Sequence, residues 1–216
     1  MDWTRAFDNY CERTDLTYWS EPVNALTNLA FIFAALIMWH RCKGRPEGRF
    51  LAATLFAIGV GSWLFHTHAT VWAVIMDVIP IMVFGLFYIY LANRHYWGLG
   101  IFVSALGAAL FIPYSAAINQ VASALPFFEI SAGYWAFPTL IAIYAGLLWR
   151  RDRSVSVGLF TGAAILCASL VFRSLDGILC PSFTLGTHFM WHILNAIMLG
   201  WMIEVWRRQR IAANAR

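Results

Sequence analysis

The sequence predicts an all-α integral membrane protein: a bundle of seven transmembrane helices, with the N-terminus outside and the C-terminus cytoplasmic. Three observations predict it. Of 216 residues, 61% are hydrophobic and only 12% charged, and the mean hydropathy is +0.65, which no soluble domain of this size matches. Apolar runs long enough to cross a bilayer as helices recur along the chain. The basic residues fall in short links between those runs, so the pI near 9.0 reflects membrane orientation rather than a nucleic-acid partner.

Residues 1–21 form an acid-rich lead in which Asp2, Asp8, Glu12, Asp15 and Glu21 alternate with Tyr10, Tyr18 and Trp19, aromatics suited to a membrane interface. The lead has no apolar core, so no signal peptide is expected. Span 1 is expected from Pro22 to His40, with proline suited to the first turn and Ser20 a candidate cap. A basic link, Arg41 to Arg49, leads to span 2 over Phe50 to His66, and the short link His68 to Thr70 leads to span 3 over Val71 to Leu91. Span 4 is expected from Trp97 to Ile112, stopped by Pro113, and Pro113 to Ile130 reads as a surface connection. Span 5 covers Ser131 to Trp149 and is followed by the turn Arg150-Arg151-Asp152-Arg153. Span 6 covers Val155 to Phe172, and a loop from Arg173 to Thr184 follows. Span 7 opens at Gly186-Thr187-His188 and ends at Trp206, before a basic tail over residues 207–216. The membrane domain is thus residues 22–206.

Orientation follows from charge. Arg41, Lys43, Arg45 and Arg49 follow span 1, Arg94 follows span 3, Arg150, Arg151 and Arg153 follow span 5, and Arg207, Arg208, Arg210 and Arg216 follow span 7. The opposite side holds Arg5, Arg13 and Arg173. The bias places the N-terminus outside.

Orientation then gathers chemistry. His188 and His192 are four residues apart, about 40° around a helix, a spacing that lets both imidazoles reach one metal ion. The alternative is a pair of interfacial or hydrogen-bonded histidines. His66 ends span 2 on the same side, Asp77 lies two turns into span 3, and Ser62 is one turn before His66. Ionisable groups at membrane depth usually serve a function. Three neutral imidazoles suit Zn2+ with a fourth position open for water, whose pKa the metal would lower. Asp77 is placed to move a proton, and Ser62 to meet an oxyanion or simply to satisfy a helix carbonyl. His40, His68 and His95 lie at span edges and read as interfacial.

Gly61-Ser62-Trp63-Leu64-Phe65-His66, Asp77, and His188-Phe189-Met190-Trp191-His192 together resemble the alkaline ceramidase family, and the compact links resemble its bacterial branch. The family sits in a wider group of seven-span zinc hydrolases that includes the adiponectin-type receptors. The resemblance implies that His66, His188 and His192 bind zinc and that Ser62 and Asp77 are catalytic. It implies hydrolysis of the amide of ceramide or a ceramide-like N-acyl lipid, giving a long-chain base and a fatty acid. Trp191 is a candidate substrate contact or a packing residue.

The lead, Asp8-Asn9-Tyr10-Cys11-Glu12-Arg13 with Glu21-Pro22-Val23-Asn24, is similar to the family's acidic calcium-binding segment. Ca2+ takes six to eight oxygens. Glu12 and Glu21 would supply carboxylates, Asn9 or Asp8 a further side-chain oxygen, and Tyr10 and Thr14 backbone carbonyls. Here Asn9 stands where the animal enzymes have aspartate, and the spacing to Glu21 is two residues shorter, so a solvated acidic lead is the competing reading. The resemblance also implies a disulfide between Cys11 and Cys180, both on the outer side, where disulfides persist. The expected partners are the bilayer and a ceramide-like lipid, and the expected location is a bacterial inner membrane. Two other functions fit the scaffold: a lipid-sensing receptor with structural zinc, or the same chemistry on another amide or ester lipid.

Overall fold

The computed structural model describes residues 2–7 and 10–215. Its helices are α1 (Pro22–Thr27), α2 (Leu29–Arg41), α3 (Pro46–His68), α4 (Val71–His95), α5 (Ile101–Ala109), α6 (Phe111–Ser123), a 3-10 segment (Phe128–Tyr134), α7 (Ala136–Leu148), α8 (Arg153–Leu179) and α9 (His188–Asn214). Six stretches are long and apolar enough to cross a membrane: Pro22–Arg41, Pro46–His68, Val71–His95, Ile101–Ser123, Arg153–Leu179 and His188–Asn214. The 3-10 segment and α7, bent by 67° at their junction, are together long and apolar enough to count as a seventh, broken span or as a re-entrant loop. The chain is therefore a multi-span helical membrane protein, and its outer surface agrees. Phe33, Ile101, Phe102 and Ile112 are 60–90% exposed, which only a lipid surround tolerates in such number.

Three boundaries differ from expectation. Span 4 does not stop at Pro113: this proline occupies the first turn of α6, where an amide has no intrahelical partner to lose, and the helix runs on to Ser123. Span 6 does not stop at Phe172. α8 continues to Leu179, because its last-turn polar groups find tertiary partners: Arg173 donates to the carbonyl of Ile130 and the hydroxyl of Ser131, and Asp176 accepts from three amides. α9 likewise runs through the expected tail to Asn214, where Glu204 pairs with Arg207 and Arg208 at helical spacing and with Arg41 across the bundle. Ser20 does not cap α1. Its hydroxyl accepts from the amides of Thr14 and Asp15, and the carboxylate of Glu12 accepts from those of Val23 and Asn24 at the start of α1 instead.

α3 and α9 pack at the centre, α3 against α2 and α4, and α9 against α2 and α8. Leu51, Leu55, Ile58, Leu91, Leu159, Leu170, Ile203 and Trp206 fill the interior. α3 and α4 approach closely at Gly61, where an added Cβ would lie 2.0 Å from the carbonyl oxygen of Met76 and 3.1 Å from Cα of Asp77. Glycine there lets the two backbones touch and sets Ser62 beside Asp77. The lead lies over this same end. Phe7 N–H donates to the carbonyl of Ala69 (2.7 Å), Val71 N–H donates to that of Arg5 (3.1 Å), and a Cys11–Cys180 disulfide ties the lead to the end of α8, with 5.5 Å between the Cα atoms. Cys42 and Cys167 are free thiols.

Because the obstacle to a side chain at Gly61 is backbone rather than a movable tip, Gly61→Ala should destabilise the fold by about 1–3 kcal/mol through overpacking. Thermal unfolding in detergent measures it; an unchanged midpoint would mean that α3 and α4 can separate freely.

Candidate metal centre

α1, α4 and α9 begin, and α3 ends, at the same end of the bundle, so their terminal turns face one another. α3 carries Ser62 and His66, α4 carries Asp77, and α9 carries His188 and His192. The three histidines converge. One nitrogen from each lies within 4.8 Å of the other two, and all three residues are buried. Their ring centroids are 4.6–5.1 Å apart. His40, His68 and His95 lie outside this group.

Neighbouring groups fix how the rings present themselves. Nδ1 of His66 is 2.6 Å from Oε2 of Glu21. A carboxylate accepts, so that nitrogen carries the proton and leaves Nε2 with a lone pair for the cluster. Nδ1 of His192 is 2.9 Å from the hydroxyl of Thr27, whose single proton is directed at the carbonyls of Val23 and Asn24. The hydroxyl therefore accepts from His192, whose Nε2 is buried with no partner in the protein. Nδ1 of His188 is likewise buried and unpartnered. Orphaned buried nitrogens carry a desolvation penalty that a cation would remove. Three closely set imidazoles with unused lone pairs are a donor set that fits zinc.

The surroundings complete the frame. The Tyr10 ring stacks on His188 with centroids 3.7 Å apart, and burial raises its phenol above the ordinary pKa. Burial also pushes the Glu21 carboxyl up, but hydrogen bonds and charge from His66 and Arg13 outweigh it and hold the pKa below the usual value. At the start of α9, Oδ1 of Asp176 accepts from the amides of Thr187 (2.7 Å) and His188 (2.9 Å), and Oδ2 accepts from that of Cys11 (2.9 Å). Gly186 makes room for it: its φ is +67°, and a Cβ there would sit 2.2 Å from Oδ1 of Asp176. Ser62 and Asp77 line the polar end of an apolar cavity whose wall also includes Trp191, Phe84, Leu166 and Met202. On α9 the lining runs from Trp191 to Met202, eleven residues, so the cavity reaches roughly 16 Å along that helix.

Among the described residues, those expected to bind calcium are engaged with groups of the protein. Both Glu12 oxygens accept amides at the start of α1 (2.7 and 2.8 Å). Oε1 of Glu21 is bonded to Arg13 (2.6 Å), and Oε2 to His66 and to the side-chain amide of Asn24. The Tyr10 carbonyl accepts from the amide of Arg13, and the amide of Thr14 donates to the Ser20 hydroxyl. Asp8 and Asn9 lie outside the described residues. Among the described residues, the three histidines form the one cluster of such groups with ligand geometry.

The partners of the rings were missed in the sequence, although a signal existed. Glu21, Asn24 and Thr27 recur every three residues at the head of an otherwise apolar span, which places them close together on one helical face. Asp176 was read as a loop residue. Asp176→Asn keeps the size but only one acceptor oxygen for three amides, and should lower stability by about 1–3 kcal/mol. Thermal unfolding measures it, and a neutral result would leave the start of α9 held by the disulfide alone.

A scan of protein-family models matches residues 5–214 to the family described as Ceramidase. A search of curated proteins found no match.

Proposed function

The chain belongs to the ceramidase family, enzymes that hydrolyse the N-acyl amide of ceramide, and from that premise we propose that it is a zinc-dependent intramembrane hydrolase whose reaction centre is His66, His188 and His192 with Asp77 and Ser62. One observation carries the reading: three converging buried imidazoles, two with an orphaned nitrogen, stand on helices whose Ser62 and Trp191 line, with Asp77, an apolar cavity.

Zinc, when bound by the three histidines, supplies a Lewis acid that activates water and polarises a carbonyl. The chain's own residues do the rest. Asp77 accepts the proton of the attacking water as that oxygen joins the acyl carbon, and delivers it to the nitrogen as the carbon–nitrogen bond breaks. The hydroxyl of Ser62 donates to the oxygen that gains charge. Glu21 and Thr27 hold His66 and His192 in the tautomer that keeps a lone pair inward. The cavity takes an alkyl chain along α9 past Trp191, so the substrate's amide stops at the polar end. The fatty acid and the long-chain base are the products.

The reading extends to organisation. Residues 1–21 are an extracytoplasmic cap over the centre, 22–206 the hydrolase, and 207–216 a basic cytoplasmic end, with the centre at the outer leaflet of a bacterial inner membrane. The loop charges support this orientation.

Purified protein should contain one zinc per chain and release fatty acid and sphingoid base from ceramide in equal amounts. Asp77→Asn should keep the metal and lower turnover by about 10²–10⁴-fold, whereas His188→Ala should lose metal and turnover together. Metal loss from Asp77→Asn would make it a ligand, and full activity without metal would sink the scheme.

A further inference from the structure

The N-terminal lead already contains a cation. The Arg13 side chain is 1% exposed, and four oxygens converge on its guanidinium: Oε1 of Glu21 (2.6 Å), the carbonyls of Asp15 (3.1 Å) and Thr17 (3.3 Å), and the carbonyl of His66 (2.9 Å). One carboxylate and several carbonyls are what a hard divalent ion gathers. Here planar N–H donors fill the same role. The carbonyl of His66 belongs to the last turn of α3, where four carbonyls lack helical partners and the helix dipole favours positive charge. A divalent ion beside this guanidinium would meet a like charge, and it would find the Glu21 oxygens bonded to Arg13, His66 and Asn24.

We propose that Arg13 is the built-in cation of the lead: its guanidinium stands in for a calcium ion, locks Glu21 against His66, and makes this hydrolase indifferent to calcium. Arg13 is a positioning residue. It touches the carboxylate that orients a histidine, and the same fork ties the lead to the end of α3. The segment over the centre is thereby held permanently rather than in proportion to a free ion.

The test needs no turnover, so it stands apart from the assignment of the substrate. Wild-type protein, with its zinc content verified, is heated in detergent with calcium chloride or with a calcium-selective chelator, and calcium binding is measured by calorimetry. The unfolding midpoint should be the same in both conditions, with no stoichiometric calcium uptake. A chelator-induced fall in the midpoint, or one calcium bound per chain, would overturn the proposal. Arg13→Ala should lower the midpoint by about 5 °C or more, and millimolar guanidinium chloride should restore part of that loss by filling the vacated fork site, whereas sodium chloride should not. Equal effects of the two salts, or an unchanged midpoint in the variant, would contradict the role given to Arg13. If Arg13→Ala fails to fold, the wild-type comparison and Arg13→Lys decide: a single ammonium cannot reach all four oxygens, so Arg13→Lys should also unfold earlier than wild type.

Discussion

The bond between the Glu21 carboxylate and Nδ1 of His66 is the interaction on which the rest of this end of the molecule depends. A histidine buried among apolar helices must satisfy one ring nitrogen within the protein before the other can be kept for a ligand. Glu21 does this for His66, and Thr27 does it for His192. Both partners come from the head of the first span, so α1 is part of the centre although it contributes no histidine. A carboxylate in that position is itself expensive to bury. Arg13 offsets the expense, which makes the histidine, the glutamate and the arginine a single chain of charge-assisted bonds running from the lead into the bundle.

Helix ends explain why the centre sits where it does. Each terminus leaves four backbone groups without partners, and inside a membrane protein these must be met by side chains. Two consecutive residues of the lead meet them on neighbouring helices of opposite direction: Glu12 takes amides at the start of α1, and Arg13 takes a carbonyl at the end of α3. Asp176 takes the amides at the start of α9. The capping groups, the disulfide and the glycine contact at Gly61 therefore tie the ends of α3 and α8 to the starts of α1, α4 and α9, and the three imidazoles meet within that frame.

Much of this was legible in the sequence. Apolar runs and loop charge locate the spans, and counting residues from each span's end places His66, Asp77, His188 and His192 at one depth. Helix ends were misplaced wherever hydropathy fell before the helix did. At Arg173 and Asp176 polar residues continue the helix because distant groups satisfy them, and no local signal reports that; at Arg207 and Arg208 the partner is Glu204, three and four residues earlier, a signal the sequence did carry. In the acid-rich lead, spacing alone does not reveal which way a carboxylate points. Glu21 faces inward to a histidine, and the arginine beside Glu12 pairs with the same carboxylate. A lone arginine among acids, followed by polar residues at every third position of an apolar span, was the pattern available for that reading.

The central claim is that three imidazoles, oriented by Glu21 and Thr27, hold one zinc ion beside the lipid cavity. Anomalous diffraction from crystals of the purified protein, recorded on both sides of the zinc edge, tests it most directly. The account predicts a single peak about 2.0–2.1 Å from one nitrogen of each of His66, His188 and His192, with Nδ1 of His66 still on Glu21. A peak that omits any of the three, or one on Glu12 and Glu21 instead, would contradict it.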